Sequence, residues 1–223
     1  MTTINPVSNQ PNVNFKGIAQ NENGISYHKS NTGLITGSVL GGLGVLTHLS
    51  KGNTSGFVKK MIETSGEEMT DEIMKNLEAQ KKAAIPFAII AGLMSIGCGV
   101  LIDKIRNQKA AESANVIANS QNIHEAFMQD ENIQTNQLGL PYHHSKTGTK
   151  MGALTGAACG LVHGGMGMAN MKGLGTLGVA IGLLSNAALF ALGGWGLGAM
   201  YDKIVNGKAK DAATHIYSRS FNA

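Results

Sequence analysis

The sequence predicts an all-α membrane protein of two tandem transmembrane helical hairpins, four spans in all, joined by a polar helical linker. Three observations predict it: four long stretches without charge, glycines recurring every fourth residue, and an internal duplication. Composition agrees. Charged residues make up 14% of the 223 residues and aromatics 5%, while 43% are apolar and 30 are glycine. A soluble globular chain carries about 25% charge. The net charge of +4 is spread beside the apolar windows and not gathered in one run. That distribution suits lipid headgroups and excludes the concentrated basic face of a nucleic-acid binder. Cys98 and Cys159 both lie in apolar windows, where a thiol behaves as a small hydrophobe, so no disulfide framework is expected.

Residues 1–24 are rich in Asn, Gln and Pro and are expected to be disordered. Residues 1–14 carry no charge and lack the basic start, apolar stretch and cleavage site of a secretory signal peptide. The helices themselves are then expected to direct insertion.

The first hairpin covers residues 25–110, with spans at about 31–50 and 83–103. Between Lys29 and Lys51 lie 21 residues without Asp, Glu, Lys or Arg, and between Lys82 and Asp103 lie 20. A helix needs about 20 apolar residues to cross the hydrocarbon core. The connection, 51–82, holds a helix signal of its own: Ser65 and Glu68 form a capping box, and Met69, Ile73, Met74 and Leu77 share one face. In the linker, 111–141, residues 110–128 read as an amphipathic continuation of the second span and 129–137 as loop. The second hairpin, 142–209, has spans at about 148–170 and 174–201. Its windows hold 21 residues between Lys150 and Lys172 and 29 between Lys172 and Asp202. Residues 210–223 are a tail. The first and third windows are the weaker two, because Gly, Thr and His dilute them.

The hairpins are related to each other. Tyr27–Gly33 (YHKSNTG) and Tyr142–Gly148 (YHHSKTG) agree at five of seven positions. Gly99–Ala110 (GVLIDKIRNQKA) and Gly198–Ala209 (GAMYDKIVNGKA) agree at seven of twelve. Each unit thus opens with one motif and closes with the other. An even number of spans per unit gives both the same orientation. The N-terminus, linker and C-terminus then share one side, which carries 11 of the 18 Lys and Arg. Positive-inside bias makes that side cytoplasmic.

Gly33, Gly37 and Gly41 are spaced by four, as are Gly148, Gly152, Gly156, Gly160 and Gly164, and the pairs Gly178/Gly182 and Gly194/Gly198. Residues four apart stack on one helix face. Such a stripe lets a neighbouring helix approach closely where lipid offers no hydrophobic drive. The pattern resembles that of glycine-zipper small membrane proteins. The architecture is also similar to the four-helix glycine-zipper subunits of mitochondrial protein translocases, and no role is carried over from them. The resemblance implies close helix packing, within a bundle or between copies of the chain.

No P-loop, paired carboxylates, CxxC, HExxH or nucleophile elbow is present, so no enzyme activity and no cofactor is expected. His48 and His163 hold equivalent positions, each 15 residues after the first glycine of its stripe. Two readings stand: interhelical hydrogen bonding at a helix end, or a paired site for a metal, a haem or a proton-sensitive gate. Tyr27, His28, Tyr142 and His143 read as interfacial anchors, with Ser30 or Thr32 and Ser145 or Thr147 capping the following helices. A headgroup or phosphate site at those helix starts is the sharper alternative. Asp103 with Lys104, and Asp202 with Lys203, mark where the strong helices leave the membrane, as solvated charge or as a salt bridge to the neighbouring Tyr-His segment. Ser185 and Asn186 read as glue between helices. The expected function is a non-enzymatic multi-pass membrane protein whose glycine-zipper hairpins pack into a four-helix bundle, a small channel, scaffold or translocation accessory whose partner is the bilayer and not nucleic acid. The alternatives are a secreted protein that inserts into a target membrane and a His-based metal or haem binder.

Overall fold

A computed structural model describes residues 17–65, 71–168 and 175–217. The chain runs β1 (Ile18–Gln20), β2 (Ser26–His28), α1 (Thr32–Ser65), α2 (Asp71–Asn119), α3 (Ile123–Gln129), β3 (Ile133–Thr135), β4 (Pro141–His143), α4 (Thr147–Met168) and α5 (Thr176–Tyr217). It is predominantly helical, with two small antiparallel ribbons, β1–β2 and β3–β4.

The ribbons correct the all-α expectation. β1 lies in the stretch read as disordered, and β3 in the stretch read as loop. Each ribbon is made by an asparagine and a glycine three residues later. Asn21 Oδ1 accepts the amides of Asn23 (3.0 Å) and Ile25 (3.0 Å), and Gly24 takes φ +73°. Asn136 Oδ1 accepts the amides of Leu138 (2.9 Å) and Leu140 (3.0 Å), and Gly139 takes φ +73°. An asparagine that bonds the backbone two residues on makes an Asx turn, and glycine supplies the positive φ that closes it.

The helices are longer than the charge-free windows. α1 passes Lys51 and continues to Ser65, whose side chain lies outside the described residues. Glu68 and Met69 lie outside the described residues, as do the side chains of Ile73 and Leu77; Met74 is exposed on α2. α2 continues to Asn119, as the linker pattern predicts. Among the described residues two helices are long and apolar enough to cross a membrane, Ala88–Asn119 and Thr176–Tyr217. Four spans were expected. Thr32–Thr47 is a shorter apolar helix, and α4 does not pass. Glycine, threonine and Lys150 lower the hydropathy of α4 without shortening the helix.

The described chain forms two compact units. One comprises Gly33–Leu101. Within it α1 and α2 meet through their smallest residues. A Cβ placed on Gly99 would lie 2.0 Å from the Gly33 carbonyl oxygen, one on Gly37 2.5 Å from that of Ser95, and one on Gly41 3.0 Å from that of Gly92. Backbone touches backbone, in antiparallel register.

The other unit comprises Met1–Thr32 and Ile102–Ala223. Its α4 and α5 form a second such hairpin. Here the hypothetical Cβ distances are 2.6 Å from Gly148 to the Gly198 oxygen and 2.1 Å from Gly152 to that of Gly194. They are 2.2 Å from Gly156 to the Phe190 oxygen and 2.5 Å from Gly160 to that of Asn186. Four residues forward on α4 is four back on α5. Gly164 meets only the Asn186 side chain, at 3.2 Å. Gly178 and Gly182 are half-buried on α5, and the Gly182 carbonyl accepts from Asn186 Nδ2 at 3.0 Å. Each stripe is therefore taken up by the other helix of its own hairpin.

Beyond the hairpin, this unit carries a head with its own small core of Ile117, Ala126, Ile133, Tyr142, Ala209, Ala213 and Tyr217. The α5 arm is different in character. Leu177, Leu184, Leu189 and Leu192 are each at least 66% exposed, and Trp195 is 54% exposed.

Candidate functional site: the hydrogen-bonded head

Two matching clasps fasten the helix starts to the helix exits. Ser30 N donates to Asn107 Oδ1 (2.8 Å), and Asn107 Nδ2 donates back to the Ser30 carbonyl (2.9 Å). Ser145 N donates to Asn206 Oδ1 (2.7 Å), and Asn206 Nδ2 returns to the Ser145 carbonyl (2.9 Å). A side-chain amide is the one uncharged group that can both accept and donate in this ladder-like pairing. The Ser30 and Ser145 hydroxyl oxygens each accept the amide two residues on, Thr32 N and Thr147 N, both at 3.1 Å. The ribbon turns are anchored in parallel fashion. Asn21 Nδ2 reaches the Ala111 carbonyl (3.3 Å) and Asn115 Oδ1 (2.8 Å), while Asn136 Nδ2 reaches the Lys210 carbonyl (3.3 Å) and Thr214 Oγ1 (3.1 Å).

Both exit aspartates accept hydrogen bonds in the head. Asp202 caps α4: Oδ1 accepts from Gly148 N (2.9 Å) and Ser145 Oγ (3.2 Å), and Oδ2 from Thr149 N and Thr149 Oγ1, both at 2.7 Å. A carboxylate suits a helix N-terminus, where free amides and the macrodipole both favour negative charge. Asp103 Oδ1 accepts from Tyr201 Oη at 2.8 Å. Both aspartates are buried. They are not the solvated charges that the sequence suggested. Lys104 and Lys203 are exposed, as expected.

The group that does reach the Tyr-His segment is Arg106, which is wholly buried. Its Nη1 donates to the His28 carbonyl and to Asn107 Oδ1 (3.1 Å), and its Nη2 to His28 Nδ1 (2.8 Å). His28 Nδ1 is therefore an acceptor. Desolvation, helped by Arg106 and Lys208, pushes the His28 pKa down to about 3. His143 belongs to a second chain of bonds. Its Nδ1 lies 2.7 Å from Ser113 Oγ, which donates its own proton to Asp130 Oδ2 at 2.5 Å. The imidazole must then donate through Nδ1. Desolvation and Arg106 push the His143 pKa down to about 4, against the pull of Asp130. At Asp130 desolvation raises the pKa, but bonds from Ser113 and Asn132 outweigh it, and the carboxyl is held below its ordinary range.

Tyr27 is half-buried and Tyr142 is buried at 5% exposure, where the sequence placed both at a headgroup surface. The Tyr142 hydroxyl donates to Gln134 Oε1 at 3.2 Å, and Lys210 Nζ lies 5.8 Å from its ring centroid. The side chains of His48 and His163 lie outside the described residues. Among the described residues no three His, Cys, Asp or Glu side chains gather as a metal set.

Sequence reasoning missed Asn107 and Asn206, although both stand among the seven identities of the closing motif. It also missed Arg106 and Ser113. Arg106 aligns with Val205 there, and a mismatch inside a repeat carries no signal of burial. No family model, no curated protein and no solved structure matches the chain.

Proposed function

We propose that the chain is a non-enzymatic integral membrane protein, a scaffold whose two glycine-zipper hairpins enter the bilayer and carry the hydrogen-bonded head at its surface. The observation that carries this reading is the exposure of the α5 arm. None of its apolar window is buried within the molecule. The core helix of a soluble protein passes the same hydropathy test by being buried; this one is not. Leucine left in water forfeits about 1.5–3 kcal/mol per side chain, so an arm of such residues needs lipid around it. The recurrence of the serine–asparagine clasps supports reading the chain as two tandem copies. The tight seam between α4 and α5 favours a scaffold over a channel, because carbonyl oxygens fill the space a lumen would need. The bilayer is the partner, and the head is assigned to the cytoplasmic side, where the positive-inside bias also puts the termini.

A second reading is favoured by one observation. Among the described residues α4 does not qualify as a span, which suits a protein delivered in soluble form that inserts its hairpins on arrival.

The test is thiol accessibility in a variant lacking Cys98 and Cys159. Lys210→Cys in the head should react with a membrane-impermeant maleimide in intact vesicles. Leu184→Cys on α5 and Leu154→Cys on α4 should react only after detergent is added. Labelling of Leu184→Cys in intact vesicles would sink the membrane reading. Protection of Leu184→Cys with labelling of Leu154→Cys would reduce the spans to the stronger helices.

A further inference from the structure

The head contains a cavity of about 30 Å³ lined by Arg106, His28, His143, Tyr27, Tyr142 and Tyr217, among others. A water needs about 10–15 Å³ on the same scale. The space suits a monatomic or triatomic ion and is too small for a phosphate ester. Arg106 is fully buried, and its three hydrogen bonds all end on uncharged acceptors, two on His28 and one on Asn107. Its Nε, a fixed donor, has no hydrogen-bond partner among the described residues, and neither does His143 Nε2. Buried charges in proteins are paired or coordinated. Asp103 and Asp202 favour the Arg106 charge through space, but neither fills its Nε: Asp202 accepts at the start of α4 and Asp103 accepts from Tyr201.

We propose that this cavity binds a small monovalent anion of about the size of chloride, on Arg106 Nε–H, together with a proton on His143. The proton follows from the bonding of the imidazole. Its Nδ1–H is given to Ser113, so Nε2 carries a lone pair that would repel an anion. One proton taken from solvent converts Nε2 into a donor. The imidazolium then stands between the anion and the Ser113–Asp130 relay, and no other bond changes. The charged and titratable groups around His143 are Arg106 and Lys109 from α2, Asp130, and its own neighbour His144. Around His28 they are Arg106 and Lys208. Cations outnumber acids at both rings, while Asp103 and Asp202 stand around Arg106; the proton on His143 supplies the added positive charge an anion needs. The inference rests on the head alone and stands whichever membrane reading is correct.

The experiment uses the full chain in detergent micelles with sodium chloride as the probe and gluconate as the control. Chloride-35 line broadening should be present at pH 5.5, at least several-fold weaker at pH 7.5, and displaced by bromide. Adding chloride to a weakly buffered sample should raise the pH, and gluconate should not. His143→Gln should lose the proton uptake, and Arg106→Gln should bind chloride at least tenfold more weakly. If Arg106→Gln loses its helical circular dichroism, proton uptake by the unaltered chain decides. The proposal is overturned by a line width equal to that of the gluconate control at both pH values. It is equally overturned if chloride causes no proton uptake, which would leave the cavity to water.

Discussion

Alanine at Gly152 should force the α4–α5 hairpin apart. The new Cβ would lie 2.1 Å from the Gly194 carbonyl oxygen. Carbon and oxygen tolerate about 3.3 Å, so the helices must separate locally by roughly 1.2 Å. Backbone cannot swing aside as a side chain can. The same opening would loosen contacts on either side, at Gly148 and Gly156, because all belong to one straight seam. Overpacking of this kind costs about 1–3 kcal/mol, which lowers the melting temperature by about 2–4 °C per kcal/mol in a chain of this length. Gly194→Ala should behave alike, since its Cβ would meet the Gly152 oxygen at 2.0 Å. The two together should cost less than their sum, because one separation relieves both. Gly193 and Gly196 are the controls: nothing lies within 4 Å of a Cβ there. Alanine at either should be neutral or gain up to about 1 kcal/mol from helix propensity. The assay is thermal unfolding of the detergent-solubilised full chain followed by circular dichroism. If Gly152→Ala melts with Gly196→Ala, the seam is not a backbone contact and the packing argument is wrong.

Three further outcomes are expected in the same assay. Asn206→Ala leaves Ser145 N and the Ser145 carbonyl buried without partners, so it should cost about 2–6 kcal/mol at roughly 1–3 per orphaned group; Asn206→Asp, which accepts but cannot donate, should restore part of the loss. Asp202→Ala removes four bonds at the start of α4 and should cost at least the ~2 kcal/mol of a strong N-cap, with fraying visible as faster amide exchange at Gly148 and Thr149. In low-halide buffer stability should fall as pH drops from about 6.5 towards 4. The folded pKa values of His28 and His143, about 3 and about 4, lie below the ordinary histidine value, so the unfolded chain binds protons in that range and the folded head does not. Each ring contributes up to roughly 1.4 kcal/mol per pH unit; burial lowers the His144 pKa in the same direction, and His143→Gln should remove part of the slope.

Much of the architecture was legible because its signals are periodic. Glycines spaced by four at 148–164 could only mark a helix face made for close approach. The partner helix was not legible: a stripe says that something comes near, not what. Here each stripe meets the return helix of its own hairpin. Charge-free windows located the helices and misjudged their ends, since a helix does not stop at Lys51 merely because a membrane would. The ribbons escaped notice because three-residue strands show too little alternation to read. Their one clear signal is the asparagine with a glycine three places on, repeated at Asn21/Gly24 and Asn136/Gly139. The head was legible in part. The repeated Tyr-His and Asp-Lys-Ile motifs marked the residues that meet, but charge and aromatic rings at a membrane edge read as interfacial anchors. Burial of Asp103, Asp202 and Arg106 depends on three segments distant in sequence coming together, and no local pattern encodes that.

The most direct test of the central claim is extraction of the expressed chain's membrane fraction with alkaline carbonate. An integral protein should remain in the pellet and be released only by detergent. Recovery of a monomer in the carbonate supernatant would contradict the account, because the exposed leucines of α5 would then have to be covered by something other than lipid.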